Sequence, residues 1–282
     1  MTNEAAPQNL VPVKRPPKTA PTLNGSPGSL INSVLTFIGE AALLIGRFIA
    51  SIVRGGVDIR DLMTQMAAIG VDSIWIVLVV TTATGAVFSL YTTTLAKEVG
   101  GITQFVGGTL GYAFLNELGP VLGGVAFAAR AGAAIAAEIG TMVVTEQVDA
   151  LRAMAVSPTR YLLVPRVLAA VLMLPLLTLF ADLSGMIGGY LLAGVNGVPH
   201  AVFLDSVRKF TRTEDLTHGL IKSVIFGLIV GIVACQQGLR TEGGATGVGR
   251  STTNSVVLCV LLIFVADFFL AQIMTGSASN RY

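Results

Sequence analysis

Charge is what this chain has least of. Of its 282 residues only 12% are Asp, Glu, Lys or Arg, against 53% hydrophobic, about half the charged share of an ordinary soluble domain. A mean hydropathy of +0.76 accompanies that deficit and points to a membrane protein. The 18 basic and 16 acidic residues leave a formal charge of +2, and no basic cluster is dense enough to follow a phosphate backbone, which argues against nucleic acid as a partner. Cysteine and histidine are as scarce. Cys235 and Cys259 lie inside apolar runs, where they read as small buried thiols rather than a disulfide framework. With His200 and His218 they offer no metal-ligand spacing, so neither a metal nor another cofactor is expected.

Two kinds of chemistry are missing as well. None of the five lysines follows a glycine, so there is no G-x-x-x-x-G-K-[ST] loop to hold ATP. There is no G-x-S-x-G elbow either, and no histidine placed to activate a nucleophile, so a lipid-modifying membrane enzyme has nothing to work with. Residues 1–29 carry Pro7, Pro12, Pro16, Pro17, Pro21 and Pro27 with Lys14, Arg15 and Lys18, and lack the apolar core of a signal peptide. They are expected to be a disordered cytoplasmic tail, and residues 276–282 a short tail at the other end.

What is present is long apolar runs. From Leu30 to Arg54 the sequence is mostly apolar, but Glu40, Arg47 and Arg54 recur every seven residues, so successive ones fall within about 20° of each other round a helix. That stripe suits an interfacial helix on the cytoplasmic leaflet, with a membrane span as the alternative. Ser73 to Ala96 is 24 uncharged residues, enough for a hydrocarbon core that needs about 20. Tyr112 to Val144 is too long for one straight crossing and is interrupted by Gly119-Pro120, which predicts a bent second span. Val167 to Leu204, with Asp182 its only charge, predicts a third span and a following loop. Ser223–Leu239 and Ser251 to about Met274 are the fourth and fifth. The expected fold is therefore an all-α membrane protein with an N-terminal interfacial helix and five transmembrane helices.

Orientation follows from the basic residues. With the tail inside, the 145–166 and 239–250 connections carry Arg152, Arg160, Arg166, Arg240 and Arg250 on the cytoplasmic side, against Lys97, Arg208, Lys209 and Arg212 opposite. The tail's own basic residues strengthen that preference. Ala128, Gly132, Ala136 and Gly140 repeat every four residues, and Gly185/Gly189 and Gly227/Gly231 share the spacing, as helices in close contact require. Five spans leave little room to enclose a lipid, so the fourfold run is read as a face for a homodimer with a cavity between protomers.

Glu117, Arg130, Glu138, Asp182 and Asp267 lie within or beside apolar segments, where a lipid-facing charge costs roughly 2.5 kcal/mol or more. Arg130 and Glu138 are about 12 Å apart along one helix, too far to pair, so each needs a partner elsewhere. They read either as a polar pathway or as structural pairs that lock helices together, and the second is favoured. The most polar central stretch, TEQVDALRAMAVSP from Thr145 to Pro158, has Val148, Leu151 and Ala155 at helical spacing, with Glu146, Asp149 and Arg152 on another face. It predicts a short cytosolic helix between spans 2 and 3, either a solvated connector or a docking helix for a partner.

The run NELGPVLGGVAFAARAGAAIAAEIGTM (Asn116 to Met142), followed by TEQVDALRAM and SPTRYLLVPR (Ser157 to Arg166), resembles the MlaE/YrbE permease family of lipid ABC transporters, membrane subunits associated with Mce-domain proteins. VVLCV (Val256 to Val260) resembles it too. The likeness extends over about 30–275, which is expected to form one permease domain. One departure is Asn116, where some members carry a basic residue. The resemblance implies a homodimer in the cell inner membrane, bound to two cytosolic ATPase subunits and to Mce-domain proteins, and moving lipids, with phospholipids as the expected cargo. In the family the EQVDAL segment is the coupling helix, which makes Glu146, Asp149 and Arg152 the expected ATPase contacts. It also places a lipid cavity at the dimer interface, in a region that Phe88, Tyr91 and Glu117 match here. The alternatives are an ion-coupled secondary transporter using Glu138, Asp182 and Asp267, or a membrane scaffold for other subunits.

Overall fold

The computed structural model describes residues 58–100 and 102–279, with scattered positions between 36 and 48. The chain divides into two units, residues 1–40 and 41–282. In the first, only Thr36, Gly39 and Glu40 are described, all helical. The expected tail at 1–29 lies outside the described residues, as do most of the interfacial helix at 30–54 and the last residues of the C-terminal tail.

The second unit is helical throughout its described length and contains no strand there. From residue 58 onward it is built from five long helices and two short ones. We label them α1 (Ile59–Glu98), α2 (Thr103–Val144), α3 (Gln147–Ala153), α4 (Thr159–Val195), α5 (His200–Phe210), α6 (Thr213–Leu239) and α7 (Gly244–Ser279). The long ones, α1, α2, α4, α6 and α7, are each long and apolar enough to cross a membrane. Helices are the natural outcome here because a single strand would leave its backbone polar groups unpaired in hydrocarbon.

Most helices start earlier than expected, α1 at Ile59 rather than Ser73, α2 at Thr103 rather than Tyr112, α4 at Thr159 rather than Val167 and α7 at Gly244 rather than Ser251. Three further differences bear on the site. The fourth span begins at Thr213 rather than Ser223, which brings Lys222 inside it. The loop expected after the third span is replaced by the amphipathic helix α5, whose Phe203 and Ser206 are buried. The interruption expected at Gly119-Pro120 takes the form of a π turn, Phe114–Leu118, after which the α-helix resumes at Gly119. Proline has no N–H to give and its ring crowds the carbonyl four residues back, so it fits best where regular α-helix is just starting. A second π turn in α2 spans Ala128–Gly132.

At the centre stands α4, which packs against α1, α2 and α6. Of its most apolar stretch 67% is buried, compared with 11% in α7, so α4 is the post and α7 an outer wall. Small residues allow the approach. A Cβ on Gly85 of α1 would collide with the carbonyl of Gly185 on α4, and one on Gly188 with the carbonyl of Thr82. Beside this crossing the Thr81 and Ser184 hydroxyls hydrogen-bond at 2.6 Å. On the other side of α4, a Cβ on Gly231 of α6 would meet Val167 Cα at 3.0 Å.

The run Ala128, Gly132, Ala136 and Gly140 is also consumed inside the chain. Ala128 and Ala136 are fully buried, Gly132 faces Val230, Ser255 and Cys259, and Gly140 faces Thr241. This corrects its reading as a dimer face: α6 and α7 already occupy it.

Backbone-to-backbone contact makes a sharp prediction. Gly85→Val is expected to lower stability by about 1–3 kcal/mol, because the α1–α4 crossing must open to admit the side chain. Gly249→Ala, where a Cβ meets nothing within 4 Å, is expected to be neutral or stabilising by about 0.5 kcal/mol. Melting of the two purified variants in one detergent measures the difference.

Candidate functional site

Each charge that the sequence placed in the apolar runs has a definite place. Arg130 stands in the second π turn of α2 and pairs with Asp72 of α1 at 2.9 Å, and its other nitrogen donates to the Ala68 carbonyl at 3.3 Å. Glu138 pairs at 3.0 Å with Arg166 of α4, whose guanidinium also donates to the Leu162 carbonyl. Both partners lie on other helices, as the eight-residue separation required. These pairs tie α2 to α1 and to α4.

The most connected charge is one the sequence reading left out. Lys222 of α6 is 2% exposed and donates to Glu117 of α2 at 2.7 Å and to Asp267 of α7 at 2.9 Å. One ammonium therefore joins three helices. The expected span starts at Ser223, one residue past Lys222, whereas the helix begins ten residues earlier at Thr213. The signal was available: the charges recognised in the spans comprised four acids and a single base, and buried acids at that excess need cations.

Asp182 of α4 is the exception to pairing. It is 5% exposed, neither carboxyl oxygen has a hydrogen-bond partner among the described residues, and it lies against Gly119, where a Cβ would strike it. The structural-pair expectation does not extend to it.

Around Lys222 a cavity of about 320 Å³ opens, lined by Tyr112, Asn116 and Glu117 of α2, Phe210, Arg212, then Glu214, Asp215, His218 and Lys222 of α6, and Ala271 and Met274 of α7. Helical spacing produces the convergence: Asp215, His218 and Lys222 are at i, i+3 and i+7, as are, nearly, Asp267, Ala271 and Met274. The π turn at Phe114–Leu118 holds Asn116 and Glu117 at the same level, and Asn116 donates to the Tyr112 carbonyl at 3.1 Å. Asp215 accepts from the Arg212 backbone N–H at 2.8 Å, which caps the start of α6.

Of the three residues matched to the substrate region, only Glu117 lines this cavity. Phe88 packs beside the buried cluster of Val106, Leu110, Phe114 and Phe203. Tyr91, 71% exposed, lies on the outer surface of α1.

The segment at 145–158 forms α3 at the opposite end of the bundle from the cavity, because it joins the end of α2 to the start of α4. Val148 is buried, Glu146 and Arg152 are exposed, and Asp149 and Arg152 pair at 2.9 Å. Glu146 precedes the helix at φ 59, a left-handed conformation that is unfavourable for a residue with a Cβ. The three expected contact residues therefore share one short helix and its entrance.

Removing the shared cation should be costly. Lys222→Met is expected to destabilise the protein by about 3 kcal/mol or more, because Glu117 and Asp267 are left as unpaired neighbours. Adding Glu117→Gln and Asp267→Asn should restore most of the loss. Melting temperature in detergent reads both, and an unchanged value for Lys222→Met contradicts the three-helix junction.

Comparisons with known proteins agree with this architecture. The sequence profile of the family described as "Permease MlaE" matches residues 62–273. A probable ABC transporter permease protein of Synechocystis is 43% identical over 83% of this chain and 89% of its own length. A probable ABC transporter permease protein of Rickettsia typhi is 36% identical over 84% of this chain and 92% of its own. Protein TRIGALACTOSYLDIACYLGLYCEROL 1, chloroplastic, of Arabidopsis thaliana is 36% identical over 84% of this chain and 68% of its own. A helical bundle with five membrane-spanning helices, matched along most of its length, therefore belongs to the MlaE permease family, as a multi-pass membrane protein and an ABC transporter permease subunit.

Proposed function

We propose that this chain is the lipid-translocating half of an ATP-driven machine, with ATP hydrolysis on a separate cytosolic subunit. The observation that carries the reading is the division of the bundle into two functional ends. A cavity with polar and apolar walls opens at one end, and an exposed charged helix, α3, caps the other. A lipid needs both kinds of wall. The Arabidopsis relative is named for a galactolipid, which supports a lipid as cargo.

In this reading α3 docks on the ATPase through Glu146, Asp149 and Arg152, so the N-terminus and α3 lie in the cytoplasm and the cavity faces the far side of the inner membrane. Glu117 stands by the headgroup, while exposed Tyr91, with Phe88 behind it, borders the path of the acyl chains. Two copies assemble to enclose the lipid, and an Mce-domain protein receives or delivers it on the cavity side. The dimer contact belongs to an outward face such as that of α7, whose Leu261, Phe264, Val265 and Phe268 are exposed. Phospholipids are the expected cargo. The ion-coupled alternative is weakened because two of its three groups, Glu138 and Asp267, are committed to Arg166 and Lys222. A scaffold has no use for the cavity.

Two experiments test this. Reversing charge at Glu146 and Asp149 should reduce copurification of the ATPase about tenfold while the permease still folds, since both lie outside the hydrocarbon. Glu146→Gly should also weaken docking, yet without loss of stability, because glycine suits the left-handed position. Undiminished ATPase binding by the double reversal contradicts the docking role. Photocrosslinkers at Tyr91 and Tyr112 should label phospholipid in a manner that changes with ATP, whereas one at Leu183 should ignore nucleotide. Identical labelling at all three contradicts the transport path.

A further inference from the structure

The charge around the cavity is unbalanced, and the imbalance bears on which lipid enters. Three carboxylates, Glu117, Glu214 and Asp215, line it beside two cations, Arg212 and Lys222, and Lys222 also pairs with a fourth carboxylate, Asp267. Lys222 is already shared between Glu117 and Asp267 and is almost fully buried, so its charge is neutralised within the protein. Glu117, by contrast, keeps 43% of its side chain exposed. Deeper than Arg212, an arriving anion would have to break the Lys222 junction or approach an acidic wall, and like charges brought together at an interface are strongly unfavourable.

The same wall suits a cation. Tyr112 and Phe210, 53% and 46% exposed, stand at the cavity, and aromatic faces attract ammonium groups, quaternary ones included. Arg212 lies immediately before α6 and is exposed, with Asp215 about 4.5 Å further along the helix axis. A phosphate near Arg212 and an ammonium one turn deeper reproduce the dipole of a zwitterionic headgroup. The volume of about 320 Å³ is at the small end of ligand pockets, enough for a headgroup while the chains stay outside against the apolar helices.

We propose that this cavity selects lipids whose headgroup ends in an ammonium and disfavours those of net negative charge. The proposal rests on the lipid-transport reading above and names the substrate class of that site. It is tested on the purified full chain in detergent by native mass spectrometry, with equimolar dioleoylphosphatidylcholine and dioleoylphosphatidylglycerol competing. The choline lipid should be retained in excess, on the order of fivefold. Exposed Glu214, changed by Glu214→Lys, should abolish or reverse the preference, with Glu214→Gln between. Glu98→Lys, the same change of charge on exposed Glu98 outside the cavity lining, should leave it intact. Equal retention of the two lipids, preference for the glycerol lipid, or an equal response to Glu98→Lys and Glu214→Lys overturns the headgroup proposal alone. Failure of the wild-type chain to retain either lipid saturably overturns the lipid-transport reading with it.

Discussion

A single ammonium group organises the outer half of this bundle. Lys222 reaches from α6 to carboxylates on α2 and α7 and is 2% exposed, so that losing either partner leaves a buried charge uncompensated. The three helices cannot separate at that level without stranding a charge. Their packing, the level of the cavity and the acidity of its wall all follow from where that lysine sits. The same constraint acts lower in the bundle, where Arg130 and Arg166 fasten α2 to α1 and α4 through Asp72 and Glu138.

Close packing does the rest. Without a hydrophobic force between helices in lipid, association depends on contact area and hydrogen bonds, and small residues maximise both. Gly85 and Gly188 let α1 and α4 touch through their backbones, Gly185 makes room on α4 for Phe114 of α2, and Gly227 and Gly231 bring α6 onto the far side of α4. The π turns in α2 supplement this. Both lie where α2 carries a charge, Glu117 in one and Arg130 in the other, and a widened turn shifts the direction of the side chains that follow. The charged residues of α2 are thereby aimed at different neighbours.

The two ends of the molecule differ in kind. At the α3 end, exposed charges sit on a short helix held by one buried residue, Val148, so the surface can meet a partner without disturbing the spans. At the cavity end, polar groups are drawn inward around Lys222, and α5 adds Phe210 to the wall. A transporter of the proposed type needs this asymmetry, because the site that receives force and the site that holds cargo must be separate yet joined by stiff elements. The continuous helices α2 and α4 provide that connection.

Helix number, the identity of the spans and the position of α3 were legible in the sequence, because apolar length and periodicity are local properties that hydrocarbon enforces on each segment separately. The run from Asn116 to Arg166 was distinctive enough to indicate the family. Boundaries were less legible: His200–Phe210 looked like a loop because its apolar face is visible only once Phe203 has α2 to pack against, and Thr213 was passed over because acidic residues open the helix. The need of Arg130 and Glu138 for outside partners followed from distance along one helix. Which partners they took, the junction at Lys222, the solitary burial of Asp182 and the use of the Ala128–Gly140 face inside the chain were decided by tertiary structure alone. The physical reason is that pairing and packing depend on which faces of separate helices meet, and that meeting is fixed by the sum of all the contacts rather than by any one segment.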